Sequence, residues 1–165
     1  MADVLTRQQR SYCMSQIKGR DTKPEVSLRK ALWSAGLRYR LNPELPGRPD
    51  LVFLRSRLAV FVDGCFWHAC PVHSTRPATN AEFWRKKIKS NIRRDKKVNR
   101  RLEELGWSVI RVWEHEIEET LDDVVRRVSD RITRPLASTG AGPMPKTRSN
   151  WRATKPRNAL SRRSA

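Results

Sequence analysis

Acidic residues are scarce in this 165-residue chain: 17 Asp and Glu face 35 Lys and Arg, for a formal net charge of +18 and a pI near 11.1. A surplus of that size favours polyanions, because each neutralised phosphate releases condensed counterions. By itself it fits a ribosomal or chromatin-like protein as well as a nucleic-acid enzyme. Cysteine is scarce too, at three, an odd number. No apolar run is long enough for a signal peptide or a membrane span, and the start Met1–Arg7 lacks the basic-then-apolar order of secretion. The expectation is a cytoplasmic protein with no membrane association, in which clustered cysteines bind metal rather than pair. Apolar residues are not scarce: at 38% they exclude a wholly disordered chain and allow one modest core. The six tryptophans exceed what packing needs, so some are expected to face a partner.

No internal repeat is visible. Residues 1–20 are polar and basic without a period, and read as an arm. Thr22-Lys23-Pro24-Glu25 opens a helix, with Thr22 as cap, Pro24 in the first turn and Glu25 three residues on. Leu28, Ala31, Leu32 and Ala35 make its apolar stripe, and Gly36 stops it. After the loop Asn42–Pro49, the runs Leu51–Leu54 and Leu58–Val62 signal a β-hairpin. Gly64–Pro77 is loop-like. Thr79-Asn80-Ala81-Glu82 predicts a second capping box, opening a long basic helix that ends at Gly106. Trp107–Trp113 reads as a strand, and Leu121, Val124, Val125, Val128 and Ile132 space out a last helix. Residues 131–165 hold nine Arg or Lys, four Pro and no acid, which predicts a disordered cationic tail from 135 onward. The pattern is α/β, with one central sheet in a domain spanning 21–134.

Two clusters carry chemistry. Cys65-x4-Cys70-x2-His73 places three metal-seeking side chains within nine residues, and His115 waits just after a predicted strand. Two sulfurs and two imidazoles suit a tetrahedral Zn²⁺, which would pin a loop that has no core of its own. Reduced thiols and surface imidazoles are the plain alternative, and His68 could replace His115 as the fourth ligand. Cys13 is isolated.

The second cluster is built of carboxylates and one imidazole. Asp50 leads into a predicted strand, where acids are ordinary turn residues unless others converge. Asp95 is the only acid between Arg85 and Arg101, among ten basic residues. Helical spacing nevertheless sets it in the stripe of Trp84, Ile88, Ile92, Asn99 and Leu102, where a carboxylate requires a cation, a metal or donors. It could equally be a structural partner of a basic neighbour. Glu25 likewise lies on the stripe of Leu28 and Leu32 as well as in a cap. His68 stands beside Asp63, and an imidazole is the side chain suited near neutrality to take a proton from an attacking water.

Leu45-Pro-Gly-Arg-Pro-Asp50, Asp63-Gly-Cys-Phe-Trp-His68, Glu82-Phe-Trp84, Asn91-x3-Asp95, Leu105-Gly-Trp107 and Val112-Trp-Glu114 together resemble the very-short-patch repair (Vsr) DNA mismatch endonucleases. The resemblance runs from about residue 10 to about residue 118. It implies a restriction-endonuclease-like α/β fold, a central mixed sheet flanked by helices with a structural zinc site. It also implies a single-strand nick 5′ of the thymine in T:G mispairs left by 5-methylcytosine deamination. By position, Asp50 and the backbone carbonyl of Val62 would hold catalytic Mg²⁺. His68 would be the general base oriented by Asp95, with Glu25 in support. Phe66, Trp67 and Trp84 would wedge beside the mismatch, and Met14 would wedge from the arm. Three departures stand out. Asp63 replaces a frequent histidine, which leaves carboxylate support or a metal contact as its role. The loop reads Cys-x4-Cys-x2-His in place of Cys-x4-His-x-Cys, and His115 replaces a cysteine, which together still leave two S and two N donors. The implied partner is mismatched double-stranded DNA, bound by a monomer associated with the nucleoid and functionally linked to a cytosine-5 methyltransferase. The rivals are a non-catalytic zinc-containing DNA-binding protein and a nickase of the same fold in restriction or phage defence.

Overall fold

The computed structural model describes residues 19–41, 43–73 and 80–134, together with Thr6, Gln8, Gln9 and Tyr12. Cys13, Met14, Thr79, most of the arm and the tail beyond Arg134 lie outside these residues.

Helix α1 (Lys23–Ser34) starts at Thr22, whose Oγ1 accepts the Glu25 N–H at 3.5 Å. Glu25 reaches back to take the Thr22 hydroxyl at 3.0 Å and the Asp21 N–H at 2.9 Å, so the expected box forms with one residue more reach. Leu28 and Leu32 are fully buried, but Ala35 is exposed. The helix has already ended at Ser34, and Gly36, at φ 81°, turns the chain away.

Strand β1 (Leu51–Phe53) pairs antiparallel with β2 (Leu58–Asp63), closing the expected hairpin. The sheet is mixed, because β2 pairs parallel with β3 (Ser108–Trp113) along its other edge. A bridge between Arg40 and Val52 lies outside the named strands. Parallel pairing needs a long crossover, and α2 (Ala81–Glu104) lies within it. The chain then turns through α3 (Glu114–Glu119) into α4 (Leu121–Thr133). Helix α2 begins at Asn80 with φ 55° and no side-chain cap bond. Thr79, on which the expected box depends, lies outside the described residues. The helix starts one residue late, Glu82 falls at the second position instead of the third, and it pairs with Lys86 at 2.8 Å instead.

Side-chain alternation divides the sheet into two faces. Leu51, Phe53, Leu58, Val60 and Val112 join Leu28, Leu32, Ile117, Val124 and Val128 in the core beneath α1, α3 and α4. Val52, Ala59 and Phe61 turn the other way, onto Leu102 and Trp107, with Leu45, Val98 and Val109. Continuing that alternation puts Asp63 on the α2 side of β2. Arg111, in register with Phe61, takes the same side of β3. The topology thus aims one acid and one base at the inner stripe of the long basic helix. No helix among the described residues is long and apolar enough to cross a membrane.

Candidate active site and metal centre

Asp95 meets this polar end of the sheet. The inner stripe of α2 holds the expected residues: Trp84, Ile88, Ile92, Asp95 and Asn99 are half-buried and Leu102 is buried. Asp95 Oδ2 lies 2.6 Å from His68 Nδ1. A carboxylate accepts, so Nδ1 donates to it, and in a neutral ring Nε2 is then the nitrogen with the free lone pair. Asp63 Oδ1 stands 3.7 Å from the same nitrogen. The His68 loop is held by its own backbone, with the His68 N–H on the Gly64 carbonyl at 3.2 Å and the Cys70 N–H on the Cys65 carbonyl at 3.0 Å.

Asp50 sits at the head of β1, its N–H on the Val60 carbonyl at 3.1 Å and its Oδ2 taking the Val62 N–H at 2.7 Å. The carboxyl is pushed up to about 6, foremost by burial. The Val62 hydrogen bond and Arg29 pull it down, while the charges of Glu25 and Asp63 push it further up. Three carboxylates from α1, β1 and β2 therefore feel one another, and a sheltered anion among like charges is stabilised by a cation. Glu25 is buried and tied to Arg29 at 2.8 Å, and Arg29 also pairs with Asp21. In front of Asp50 opens a cleft of about 880 Å³ lined in part by Arg20, Arg29 and Arg48.

The expected zinc residues converge. One donor atom from each of Cys65, Cys70, His73 and His115 lies within 4.8 Å of the others. Cys65 Sγ is 3.1 Å and Cys70 Sγ 3.5 Å from His115 Nδ1, and the His73 and His115 rings are 4.5 Å apart. Ligand atoms around a tetrahedral zinc are separated by roughly 3.3–3.8 Å, given bonds of about 2.0–2.3 Å, so the four donors fit. Burial first, then Cys70 and Glu114 against an opposing hydrogen bond to His115, hold the Cys65 thiol up at about 11. Without a cation it would stay protonated. His115, in α3, is the histidine at the sulfurs, and His68 turns to Asp95.

Phe66, Trp67 and Trp84 gather into one half-buried patch, with ring centroids 5.1, 5.1 and 5.7 Å apart in edge-to-face packing. Phe83 extends it, 5.3 Å from Trp84 and 60% exposed. Buried Asn91 fixes the loop beneath by donating to the Trp67 carbonyl at 2.9 Å.

Comparisons with known proteins supply a family for the chain. The family model described as DNA mismatch endonuclease Vsr matches residues 2–74. The DNA mismatch endonuclease Vsr of Escherichia coli strain K12 is 40% identical over 145 residues, 86% of this chain and 92% of that protein. This chain belongs to the Vsr family. Other relatives carry nicking-enzyme names. Type II nicking enzyme V.NaeI of Lentzea aerocolonigenes is 44% identical over 129 residues, 74% of this chain and 76% of that one. V.NmeAIP of Neisseria meningitidis serogroup A is 40% identical over 141 residues, 80% of this chain and all of that one. Family membership makes DNA the substrate and phosphodiester hydrolysis the reaction class.

Three residues of the site make contacts that sequence reasoning did not assign, although Asn91 and Glu114 stand in the motifs quoted for the family resemblance. Glu114 accepts the Cys65 N–H at 2.8 Å and so ties the zinc loop to the end of β3. Asn91 holds Trp67. Arg111 binds both oxygens of Asp63 at 2.7 and 2.8 Å. A lone arginine inside the apolar run Ser108–Trp113 was the available signal for the last.

Proposed function

We propose that this Vsr-family enzyme nicks one strand of duplex DNA on the 5′ side of the thymine in T:G mispairs, and so initiates very-short-patch repair of deaminated 5-methylcytosine. The observation that carries the reading is the 2.6 Å His68–Asp95 pair, in a loop whose Phe66 and Trp67 form an aromatic patch with Trp84. Chemistry and mismatch sensing then share one rigid segment. In this reading the Asp95 carboxylate fixes the Nδ1–H tautomer of His68. Its Nε2 takes a proton from the water that attacks phosphorus, one P–O ester bond breaks, and the leaving oxygen takes a proton from solvent to depart as a hydroxyl. Asp50 and the Val62 carbonyl would hold Mg²⁺, which neutralises charge at the scissile phosphate and activates water. Glu25 steadies Arg29 and the approach to Asp50, and the arginines of the cleft attract the phosphate. Asp63, engaged at both oxygens by Arg111, is the partner of that arginine and is assigned no contact with metal or substrate.

The aromatic patch is the wedge. A T:G pair resists unstacking less than a Watson–Crick pair, so intercalation turns weak pairing into recognition. Zn²⁺ on Cys65, Cys70, His73 and His115 would clamp the wedge loop to α3. The fold is restriction-endonuclease-like, the arm of residues 1–20 brings Met14 to the DNA, and the tail from 135 adds affinity. The enzyme works as a cytoplasmic monomer on DNA that a cytosine-5 methyltransferase has modified.

The nicking-enzyme names of several relatives favour a second reading, in which the nick serves a restriction system. A nicking assay on T:G, U:G and fully paired duplexes, with and without Mg²⁺, separates the two. Preference for T:G, lost without Mg²⁺, is the expected outcome. Equal nicking of paired duplex sinks the mismatch reading.

A further inference from the structure

His68 Nδ1 carries one hydrogen and faces two carboxylates, Asp95 at 2.6 Å and Asp63 at 3.7 Å. One donor cannot serve both. Asp63 is buried to 7% exposure at its side chain, and a carboxylate so sheltered seeks whatever donor it can reach. Left alone it would compete for His68.

Arg111 removes that competition. Its Nη1 engages Asp63 Oδ1 at 2.7 Å and Oδ2 at 2.8 Å, while Nη2 lies 3.4 Å from Asp95 Oδ1. The guanidinium is itself held. Nε donates to Asn99 at 3.1 Å, and the plane rests over the Phe61 ring at 4.5 Å from its centroid. A planar fork anchored at three nitrogens sets the relative position of both acids. We infer that Arg111 is a positioning residue for the hydrolysis, holding Asp63 back so that Asp95 alone orients His68. This rests on the reading of His68 as the proton acceptor. The guanidinium is taken up by Asn99, Asp63, Asp95 and the Phe61 ring, so Arg111 acts through the two carboxylates. Lysine cannot replace it, because a single ammonium cannot span Asn99, Asp63 and Asp95 together.

The test uses the full chain in two measurements. The first is single-turnover nicking of a saturating T:G duplex with Mg²⁺, beside DNA affinity. The second, independent of activity, is the downfield proton resonance of the His68 imidazole, assigned by its absence in His68→Ala. Arg111→Leu should slow nicking roughly 10–100-fold, the loss that follows a misplacement of about an ångström. DNA affinity should hold, and the His68 resonance should move or broaden. Adding Asp63→Asn should restore much of the rate and return the resonance, because the competing carboxylate is gone. A role confined to stability predicts the opposite: resonance and rate per folded molecule unchanged in Arg111→Leu. That result overturns the inference, as does a double variant as slow as Arg111→Leu. If Arg111→Leu fails to fold, Arg111→Lys takes its place with the same expected slowing, and a wild-type rate there overturns the inference too. If His68→Ala nicks at the wild-type rate, the catalytic reading of His68 has failed, and the resonance still decides whether Arg111 holds the histidine.

Discussion

In the proposed mechanism three side chains bear the chemistry, and each is set by a different element. Asp50 opens β1, His68 follows β2, and Asp95 comes from α2. Replacing Asp50 with Ala should abolish nicking while DNA binding persists or tightens, since a carboxylate that repels phosphate is gone. Single-turnover nicking and a binding isotherm on the same duplex check this, and nicking at the wild-type rate rejects Asp50 as the metal-holding residue. His68→Ala should slow the chemical step by about 10²–10⁴-fold, the range for a lost general base, and should keep its zinc. Zinc loss would place His68 among the ligands, against the 3.1 Å approach of His115 to Cys65. Trp67→Ala should depress cutting of a T:G duplex far more than nonspecific binding, because stacking of an aromatic on a base contributes roughly 1–3 kcal/mol. Unchanged mismatch preference in that variant would remove the wedge from the mechanism.

At the scale of elements, the loop before β1 must bring Asp50 in beneath the long helix, and Gly47 makes this possible. Its φ is 74°, and a Cβ there would overlap Val98 Cγ1 of α2 and stand 3.0 Å from Cγ2. Gly47→Ala should therefore destabilise the protein by about 1–3 kcal/mol, as overpacking does, and lower nicking through Asp50. Adding Val98→Ala should recover part of the stability in a denaturant titration, with the strain of positive φ remaining. No recovery means that Val98 is not the obstacle. Zinc belongs to this scale as well. Purified protein is expected to hold one Zn²⁺ per chain, and Cys70→Ser should lose it and melt lower, read by metal analysis and calorimetry. Much of the fold was legible in the residues alone. Apolar spacing drew α1, α2 and α4, two short apolar runs drew the hairpin, and Asp95 betrayed itself as a lone acid on an apolar stripe. The start of α2 was not legible, because Thr79 and Glu82 satisfy the box pattern in sequence while the helix begins one residue later. Arg111 was not legible either. A charge inside a strand becomes meaningful only when pairing puts Phe61 beneath it and Asp63 within reach, and that parallel register joins segments about fifty residues apart.

For the whole molecule, charge governs how the enzyme meets its substrate. The surplus is unevenly spread. The outer face of α2 carries Arg85, Lys89, Arg93, Lys96 and Arg100, all exposed, along a helix roughly 36 Å long at 1.5 Å per residue. The chain beyond Arg134 adds further Arg and Lys with no acid to offset them. Such charge attracts any duplex, so it contributes affinity and encounter rate without choosing the mismatch. In the proposed reading, selection rests on the aromatic patch and the chemical step on the site behind it. These roles separate on deletion of residues 136–165. The shortened protein should fold with an unchanged melting temperature, because the tail's composition, cationic and without an acid, gives it little to bury, while the core of the described residues runs from Leu28 to Val128. It should nick a saturating T:G duplex at the full single-turnover rate. Its affinity should fall at low salt, and the slope of log K against log salt should flatten by roughly 0.9 for each phosphate that the tail no longer neutralises. Binding measured across a salt series decides the matter. An unchanged slope would leave the tail idle on DNA, and a fallen melting temperature would make it part of the fold.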